Sequence, residues 1–286
     1  MTPTLITLII GAMGLAAWVL FADPPPRPLD LPDKPFPDNW RDLLKKRWPL
    51  YNTLPEVLQH QIEQLTLVFL DRIEFQGVDL EITDEMRVLT AAQACLLLLN
   101  QDTFYSPQLR SVVIHPSAYT ATSHDQAGGE VMEKQIAVQG QSWGSGSVVL
   151  SWDNTRTGAA NAKDGRNLVL HEFAHQLDQA DGKADGAPAL GSREQYQRWQ
   201  KVCSRVFTDL RDKVKRDKKT VIDDYGATNP AEFFAVATET FFEKPHQLNK
   251  RRPELYALLS DYYRVNPLSW HKPSKKNFTR QRGASG

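Results

Sequence analysis

One short stretch, residues 167–178, constrains this chain more than any other; it reads Asn-Leu-Val-Leu-His-Glu-Phe-Ala-His-Gln-Leu-Asp. Its centre is an H-E-x-x-H pattern. Residues four apart share one face of an α-helix, so the imidazoles of His171 and His175 can bind one Zn²⁺ together. Glu172 follows the first histidine and can take a proton from a water molecule at the metal. The pattern therefore predicts two zinc ligands and a general base on one helix.

The residues around this pattern favour a helix. Asp164 is the predicted N-cap, and Gly182 is the predicted stop. Apolar residues recur at positions i, i+3, i+4 and i+7, namely Leu170, Phe173, Ala174 and Leu177. The histidines lie beside this apolar stripe, at the edge of the predicted buried face, where a cleft can form. The alternative is a pair of ordinary helix histidines that match the pattern by chance.

Composition narrows the functional classes. The 34 basic residues balance the 34 acidic ones, so no net positive field points to nucleic acid. The two cysteines, Cys95 and Cys203, form no C-x-x-C pattern. They fit a reducing compartment better than an oxidising one, and Cys95 is predicted to lie in the core. Any zinc must therefore be held by histidine and carboxylate.

The N-terminus predicts a membrane anchor. Residues 4–21 are apolar and uncharged. Their length of 18 residues is near the lower limit for a membrane-spanning helix. A cleaved signal peptide is the alternative, but no lysine or arginine precedes the run. Arg27, Lys34 and Arg41 follow it, and this bias favours a cytoplasmic catalytic domain over an exported or periplasmic-facing one.

Four regions follow from this pattern. Residues 1–22 are the predicted anchor helix, and residues 23–38, with seven prolines, are a predicted extended linker. Residues 39–270 form the predicted globular domain, and residues 271–286 a flexible basic tail.

The globular region has the pattern of an α+β fold, mostly helical with a small sheet. Helices are predicted over residues 39–48, 55–75, 84–99, 192–215 and 253–265, besides the motif helix. Strands are predicted over residues 78–83, 110–115, 135–139 and 147–152. Residues 140–146 are predicted to form a turn, and residues 120–129 a loop that can close over a cleft.

A third zinc ligand must come from elsewhere, because a catalytic zinc has three protein ligands and an open position. Glu232 lies 57 residues after His175 (232 − 175), in a helix with Asn229 as N-cap and Pro230 at its first position. It is either that ligand or the last residue of a capping box. Asp178 and Glu239 are candidate partners for a ligand imidazole. His246 is predicted to lie in a surface loop.

Several segments resemble the MtfA (Mlc titration factor A) family of zinc-dependent peptidases, in the same order along the chain. They are Gly140-Gln-Ser-Trp143, the motif stretch with Asp181-Gly182, Asp224-Tyr-Gly-Ala-Thr-Asn-Pro-Ala-Glu-Phe-Phe-Ala235 and Glu239-Thr-Phe-Phe242. The resemblance runs from about residue 43 to residue 268.

This resemblance implies a zincin-like metallopeptidase fold of the gluzincin type, with zinc as cofactor. It implies that His171, His175 and Glu232 are the metal ligands, that Glu172 is the general base, and that Tyr225 lies close enough to stabilise an oxyanion. It also implies aminopeptidase-like cleavage of a peptide or protein substrate, although no residue separates exo- from endopeptidase action. The strand over residues 147–152 precedes the motif helix and is either an ordinary sheet member or a strand whose edge pairs with an extended peptide.

A second function from a different class stays open. The domain can instead be a regulatory zinc domain that sequesters a protein partner, such as a transcriptional repressor, with little hydrolysis. The best-known family members look soluble, whereas this chain carries residues 4–21 and the proline-rich linker.

Overall fold

The computed structural model describes residues 28–32, 34–117, 119–127, 130–138, 140–143 and 146–271. The predicted anchor, the first part of the proline-rich linker and residues 272–286 of the predicted tail lie outside these ranges. No helix within the described ranges is long and apolar enough to cross a bilayer.

Helices dominate the described residues, as the sequence predicts. They are α1 (Asp38–Arg47), α2 (Glu56–Arg72), α3 (Asp84–Leu96), α4 (Trp152–Ala160), α5 (Leu168–Asp178), α6 (Arg193–Lys215), α7 (Pro230–Glu243), α8 (Pro245–Arg251) and α9 (Pro253–Tyr263). Short 3-10 turns are present as well, including one over Asp224–Ala227.

The strands of the main sheet are β1 (Glu74–Gly77), β2 (Ser111–His115), β5 (Gly140–Trp143) and β6 (Ser147–Ser151). Their order is β1-β2-β6-β5; the first three are parallel, and β5 is antiparallel to β6. A separate antiparallel pair consists of β3 (Tyr119–Ala127) and β4 (Glu130–Val138). The predicted combination of many helices with a small sheet is confirmed.

The core forms where α3 packs against α1, α2, α4 and α5. Thr83 caps α3 by accepting a hydrogen bond from the Met86 N–H, and Cys95 is buried on this helix as predicted. Phe173 of α5 inserts its ring beside Phe69 and Tyr105, with centroid distances of 5.6 and 5.0 Å. Large buried aromatic rings contribute strongly to core stability, so this cluster fixes α5 from its apolar face.

Helix α7 covers another side of α5 and is almost entirely internal. All residues from Phe233 to Glu243 are buried, including the carboxylates of Glu239 and Glu243. Buried carboxylates are rare without hydrogen-bond donors, so their presence here indicates that α7 meets polar groups on α5.

The chain enters the domain along α2. The Leu29 N–H donates to the Asp102 carbonyl, and the Arg72 guanidinium donates to the Pro28 carbonyl. Gln64 donates to the Lys34 carbonyl, and Phe36 is buried. The described part of the proline-rich segment therefore packs on the domain.

The predicted strand over residues 78–83 is wrong. The chain leaves α2 at Arg72, and β1 over Glu74–Gly77 pairs with β2, with Glu74 opposite Ser111. Asp79 then adopts φ 57°, which turns the chain out of the sheet. The helix predicted up to residue 75 is too long, because Phe75 lies beyond the end of α2 but still packs its ring against Phe69.

Two other local predictions are wrong because strand pairing overrides turn-forming composition. The first half of the predicted turn over residues 140–146 is β5, in which Gln141 pairs with Val149 of β6. Most of the predicted loop over residues 120–129 is β3, paired residue by residue with β4.

His246 lies in α8 rather than in the predicted surface loop, and its Nε2 lies 2.7 Å from the His271 carbonyl oxygen.

Candidate metal centre

Helix α5 begins at Asn167, not at the predicted cap Asp164. Asn167 has extended backbone angles, and its Oδ1 accepts the Leu170 N–H at 3.1 Å. Asp164 lies further back and accepts the backbone N–H of Arg166. Aspartate and asparagine cap helices about equally well, so the position of the start depends on other contacts of this segment.

The two motif histidines face each other across one turn of α5. His171 Nε2 lies 3.2 Å from His175 Nε2, and both side chains are largely buried. The i and i+4 spacing of the sequence therefore brings the two nitrogens to one point beside α7.

Of the two roles that the sequence left open for the Glu232 side chain, the structure shows contact with the histidines and not, among the described residues, the reciprocal bond of a capping box. The backbone N–H of Glu232 donates to Asn229 Oδ1 at 2.9 Å, which caps α7 as predicted. Its carboxylate turns toward α5, where Oε2 lies 3.0 Å from His171 Nε2 and 3.5 Å from His175 Nε2. The backbone of Glu232 thus belongs to the cap, and its side chain belongs to the histidine site.

These three side chains form the metal-compatible group found within the described residues. Their donor atoms are separated by 3.0, 3.2 and 3.5 Å. A tetrahedral zinc with bonds of about 2.0–2.1 Å separates its ligand atoms by about 3.3 Å. Two imidazole nitrogens and a carboxylate oxygen that converge in this way can bind one cation together. The donor set therefore fits a divalent metal.

The electrostatics of the metal-free site point the same way. Burial lowers the pKa of His171, but the adjacent Glu232 and Glu239 outweigh burial and raise it to about 10. Burial acts against ionisation of Glu232, yet its contacts with both histidines lower its pKa to about 2. Without a metal, a proton on His171 balances the charge, and a metal must displace that proton.

Glu172 lies beside the ligands but does not join them. Its side chain is turned inward and is only 4% exposed. Burial raises its pKa to about 7, although the neighbouring histidines oppose this shift. A carboxyl group that titrates near neutrality is suited to general acid and base chemistry.

Glu239 lies on the far side of the His171 ring. Its Oε1 is 2.8 Å from His171 Nδ1, and its Oε2 accepts the backbone N–H of Asn167 at 2.5 Å. Such a partner orients an imidazole and leaves Nε2 free for a metal. Of the two predicted imidazole partners, Glu239 therefore has the required contact.

Asp178 does not have that contact. In the described part of the chain no hydrogen bond joins its carboxylate to His175, although the side chain is fully buried at the end of α5. Burial raises the pKa of Asp178 to about 6. The short side chain, one turn after His175, does not reach the imidazole.

Tyr225 borders the site from the 3-10 turn before α7. Its ring centroid is 5.9 Å from that of His171, and the residue is 55% exposed. Burial of part of the side chain, together with the carboxylates of Glu232 and Glu172, raises the pKa of its phenol. The phenol therefore stays protonated at neutral pH and can donate a hydrogen bond.

An ion pair connects the Tyr225 turn with the start of α5. Asp223 Oδ1 accepts the Tyr225 N–H, and Asp223 Oδ2 accepts from Arg166 Nε and Nη2 at 3.0 and 2.7 Å. Arg166 and Asp223 are 57 residues apart, so sequence reasoning did not pair them.

An open cavity of about 620 Å³ lies beside His171, Glu172 and Tyr225. His171, Glu172, Glu239 and Tyr225 line one part of it, and Thr157 and Gly158 of α4 line another. His175 and Glu232 are not among the described residues that line it, so a group in this cavity can approach His171 and Glu172 together.

Sequence reasoning missed Glu243 and Asn167. Glu243 Oε2 accepts the Gly165 N–H at 3.0 Å, and its Oε1 accepts from Asn167 Nδ2 at 3.2 Å. The available signal was the spacing of Glu239 and Glu243, which are four residues apart in a helix that is otherwise mostly apolar. That spacing places both carboxylates on one face.

Comparison with known proteins agrees with this geometry. Residues 27–264 match the family model described as glucose-regulated metallo-peptidase M90. An uncharacterized Synechocystis protein is 38% identical over 276 residues, which cover 94% of this chain and 99% of the relative. Mlc titration factor A of Klebsiella pneumoniae is 30% identical, with 77% of this chain and 84% of the relative covered. The same factor from Escherichia fergusonii is 30% identical, with coverage of 86% and 93%.

The predicted resemblance is therefore confirmed, and a family of metallopeptidases implies a metal at the group formed by His171, His175 and Glu232. The chain belongs to the glucose-regulated metallo-peptidase M90 family, together with Mlc titration factor A.

Proposed function

We propose that this chain is a zinc-dependent peptidase in which His171, His175 and Glu232 hold the metal. The observation that carries the proposal is the convergence of three donor atoms within 3.0–3.5 Å beside the buried Glu172. Histidine and carboxylate ligands, without cysteine, are typical of catalytic rather than structural zinc.

A bound zinc supplies Lewis acidity, which lowers the pKa of water and polarises a peptide carbonyl. Glu172 accepts a proton from the attacking water and returns it to the leaving amine. Burial raises its pKa to about 7 in the metal-free site, and its place in the same cavity as His171 supports this role. Glu239 holds the His171 ring through Nδ1 during these transfers.

Tyr225 is the proposed oxyanion donor. Its protonated phenol borders the cavity beside His171, and a hydrogen bond from it would stabilise negative charge on the carbonyl oxygen. Asp223 holds the turn that carries it.

The expected substrate strand needs correction. Strand β6 cannot offer a free edge, because β2 pairs with one side of it and β5 with the other. Among the described strands, β5 is the edge nearest to α5. We propose that an extended peptide pairs with β5, and that cleavage is aminopeptidase-like, as the family resemblance suggests.

Metal analysis and the variant Glu172→Gln test the enzymatic proposal on the full chain. We expect about one zinc per chain, and peptide cleavage that falls at least about 100-fold in Glu172→Gln while zinc is retained. Zinc below half-stoichiometry after purification, or cleavage that survives the substitution, would contradict the proposal.

A second candidate function rests on the name of the relatives. Mlc titration factor A is named for titration of another protein, so this chain can act by binding a protein partner such as a transcriptional repressor. The variant Glu172→Gln separates the two functions. A regulator that acts by binding keeps its regulatory effect on the partner in this variant, whereas a peptidase loses peptide cleavage.

The predicted location is also a proposal. An uncleaved anchor at residues 4–21 would hold the domain at the cytoplasmic face of a membrane. Carbonate extraction of membranes tests this idea, since an anchored chain stays in the pellet. A soluble product shortened by about twenty residues would instead indicate a signal peptide.

A further inference from the structure

We infer that Glu243 is a positioning residue for the metal ligand His171, and that it acts through Asn167 and Glu239. The inference rests on the proposed metal site, and it concerns the far end of α7 rather than the ligands themselves. Three hydrogen bonds connect Glu243 with the part-buried His171 ring through the buried Asn167 and Glu239, and a fourth holds Glu243 on Gly165.

The first two contacts attach Glu243 to the segment that leads into α5. Glu243 is 3% exposed, and each of its carboxylate oxygens accepts one hydrogen bond. Oε2 accepts the Gly165 N–H at 3.0 Å, and Oε1 accepts from Asn167 Nδ2 at 3.2 Å. A buried carboxyl group with two directed donors holds its partners in one geometry.

Asn167 transmits this geometry. Its Nδ2 also donates to Gln93 Oε1 at 2.9 Å, and its Oδ1 caps α5 at the Leu170 N–H. Its backbone N–H donates to Glu239 Oε2 at 2.5 Å. Asn167 therefore links the two glutamates, because its side chain contacts Glu243 and its backbone N–H contacts Glu239.

The last contact reaches the ligand. Glu239 Oε1 lies 2.8 Å from His171 Nδ1, on the opposite side of the ring from Nε2. Glu239 and Glu243 are one helical turn apart on α7, so both carboxylates face the first turn of α5. Loss of Glu243 would remove one of the contacts that fix Asn167, which would let Glu239 shift and would loosen the ring that presents Nε2 to the metal.

Simple packing of α7 against α5 is the alternative explanation. In that case Glu243 contributes to folding stability alone, and its removal leaves the intrinsic affinity for metal unchanged. A positioning role instead predicts that the effect of Glu243 on zinc affinity depends on the presence of Glu239.

The test measures zinc dissociation constants of the full chain by competition with a chromophoric chelator, for wild type, Glu243→Gln, Glu239→Gln and the double variant. We expect Glu243→Gln to weaken zinc binding about tenfold, the low end of the effect of outer partners of metal ligands. The double variant should bind zinc no more weakly than Glu239→Gln alone, because both substitutions interrupt one chain of contacts.

Glu63→Gln is the matched control. Glu63 is also a buried glutamate, 4% exposed, and it accepts hydrogen bonds from Arg41 Nε at 2.6 Å and from the Tyr51 hydroxyl at 2.7 Å. Its substitution should destabilise the fold and leave the zinc dissociation constant within about twofold of wild type. An equal loss of zinc affinity in this control would attribute the effect to general destabilisation and overturn the inference.

Asn167→Ser provides a second route if Glu243→Gln does not fold. Serine keeps an oxygen for the helix cap and removes the Nδ2 group that reaches Glu243. We expect about tenfold weaker zinc binding here too. Wild-type affinity in the folded variants, or additive losses in the double variant, would overturn the inference while the proposed function stands. Failure of the wild-type chain to bind zinc would instead remove the proposed function.

Discussion

At the residue scale, one side-chain type serves different purposes because each carboxylate has different neighbours. Glu172 is 4% exposed, and burial raises its pKa to about 7 although the neighbouring histidines oppose this shift. Glu232 faces two imidazoles, which lower its pKa to about 2 despite burial. Environments that move two pKa values apart separate a proton acceptor from a permanent anion. The site thus has a group for proton transfer and a group for metal binding.

Metal binding should release protons near neutral pH. His171, with a pKa of about 10 in the metal-free site, is protonated at pH 7 and must lose that proton to bind a metal. The apparent affinity should therefore rise about tenfold per pH unit as pH increases toward 10, and fall as pH decreases. Calorimetry in buffers of different ionisation enthalpy counts the protons. Release of about one proton per zinc at pH 7 is expected, and no release would contradict this charge assignment.

Tyr225→Phe tests the oxyanion role without removing the ring. Loss of one oxyanion donor typically lowers kcat by about 10²–10³-fold. The phenol of Tyr225 is exposed, so we expect the lower end, about 10²-fold. Zinc content and KM should stay close to wild type, because Tyr225 is not a metal ligand. Steady-state kinetics with metal analysis would check both. Unchanged kcat would rule out the phenol as a donor to the transition state.

At the element scale, α5 and α7 together supply the complete candidate site. Helix α5 carries the histidines and Glu172, and α7 carries Glu232 at its start, with Glu239 and Glu243 about two and three turns beyond it along the same side. Hydrogen bonds run from the first turn of α5 to the α7 carboxylates. The relative placement of two helices, rather than any loop, therefore sets the donor geometry.

The apolar side of α5 can be tested separately. Phe173→Ala removes the ring that packs beside Phe69 and Tyr105, and it should lower the free energy of unfolding by about 3–5 kcal/mol. Chemical denaturation measures the loss. Leu177→Ala is the comparison on the same helix; its half-buried side chain should contribute less. Equal losses in both variants would show that the aromatic cluster does not hold α5.

At the scale of the whole molecule, a metal held by His171, His175 and Glu232 would join two helices that lie far apart in sequence. A ligand that binds only the folded state stabilises it, by about 2.7 kcal/mol at a free concentration 100 times the dissociation constant. Chelation should therefore lower the thermal unfolding midpoint, and added zinc should restore it. Glu232→Ala should lose this zinc dependence. A wild-type midpoint that ignores chelation would contradict a site shared by α5 and α7.

Much of the candidate site could be predicted from residues that are close together in sequence. His171, Glu172 and His175 follow from spacing within one helix, since the helical repeat fixes which side chains share a face. The N-cap at Asn229, the start of α6 after Ser192 and the core position of Cys95 also depend on neighbours in sequence or on an apolar run. These features need no information about distant segments.

Other features depended on contacts that sequence spacing does not contain. Asp164 and Asn167 are equally good caps by residue type, and α5 starts at Asn167, where Gln93, Glu239 and Glu243 hold that residue. The glycine- and serine-containing residues 140–143 have the composition of a turn, but hydrogen bonds to β6 make them a strand. That pairing also moves the free sheet edge from β6 to β5.

The sequence by itself determined that one amphipathic helix would present two histidines and a glutamate on neighbouring positions, because a 3.6-residue repeat leaves no other arrangement. Only the tertiary structure decided that Glu232, in the first turn of α7, turns its carboxylate to those histidines. It also decided that two further glutamates on α7 are buried against the first turn of α5. The physical reason is that local periodicity orients side chains about one helix axis, whereas the packing of α5 against α7 sets the distance between their donor atoms.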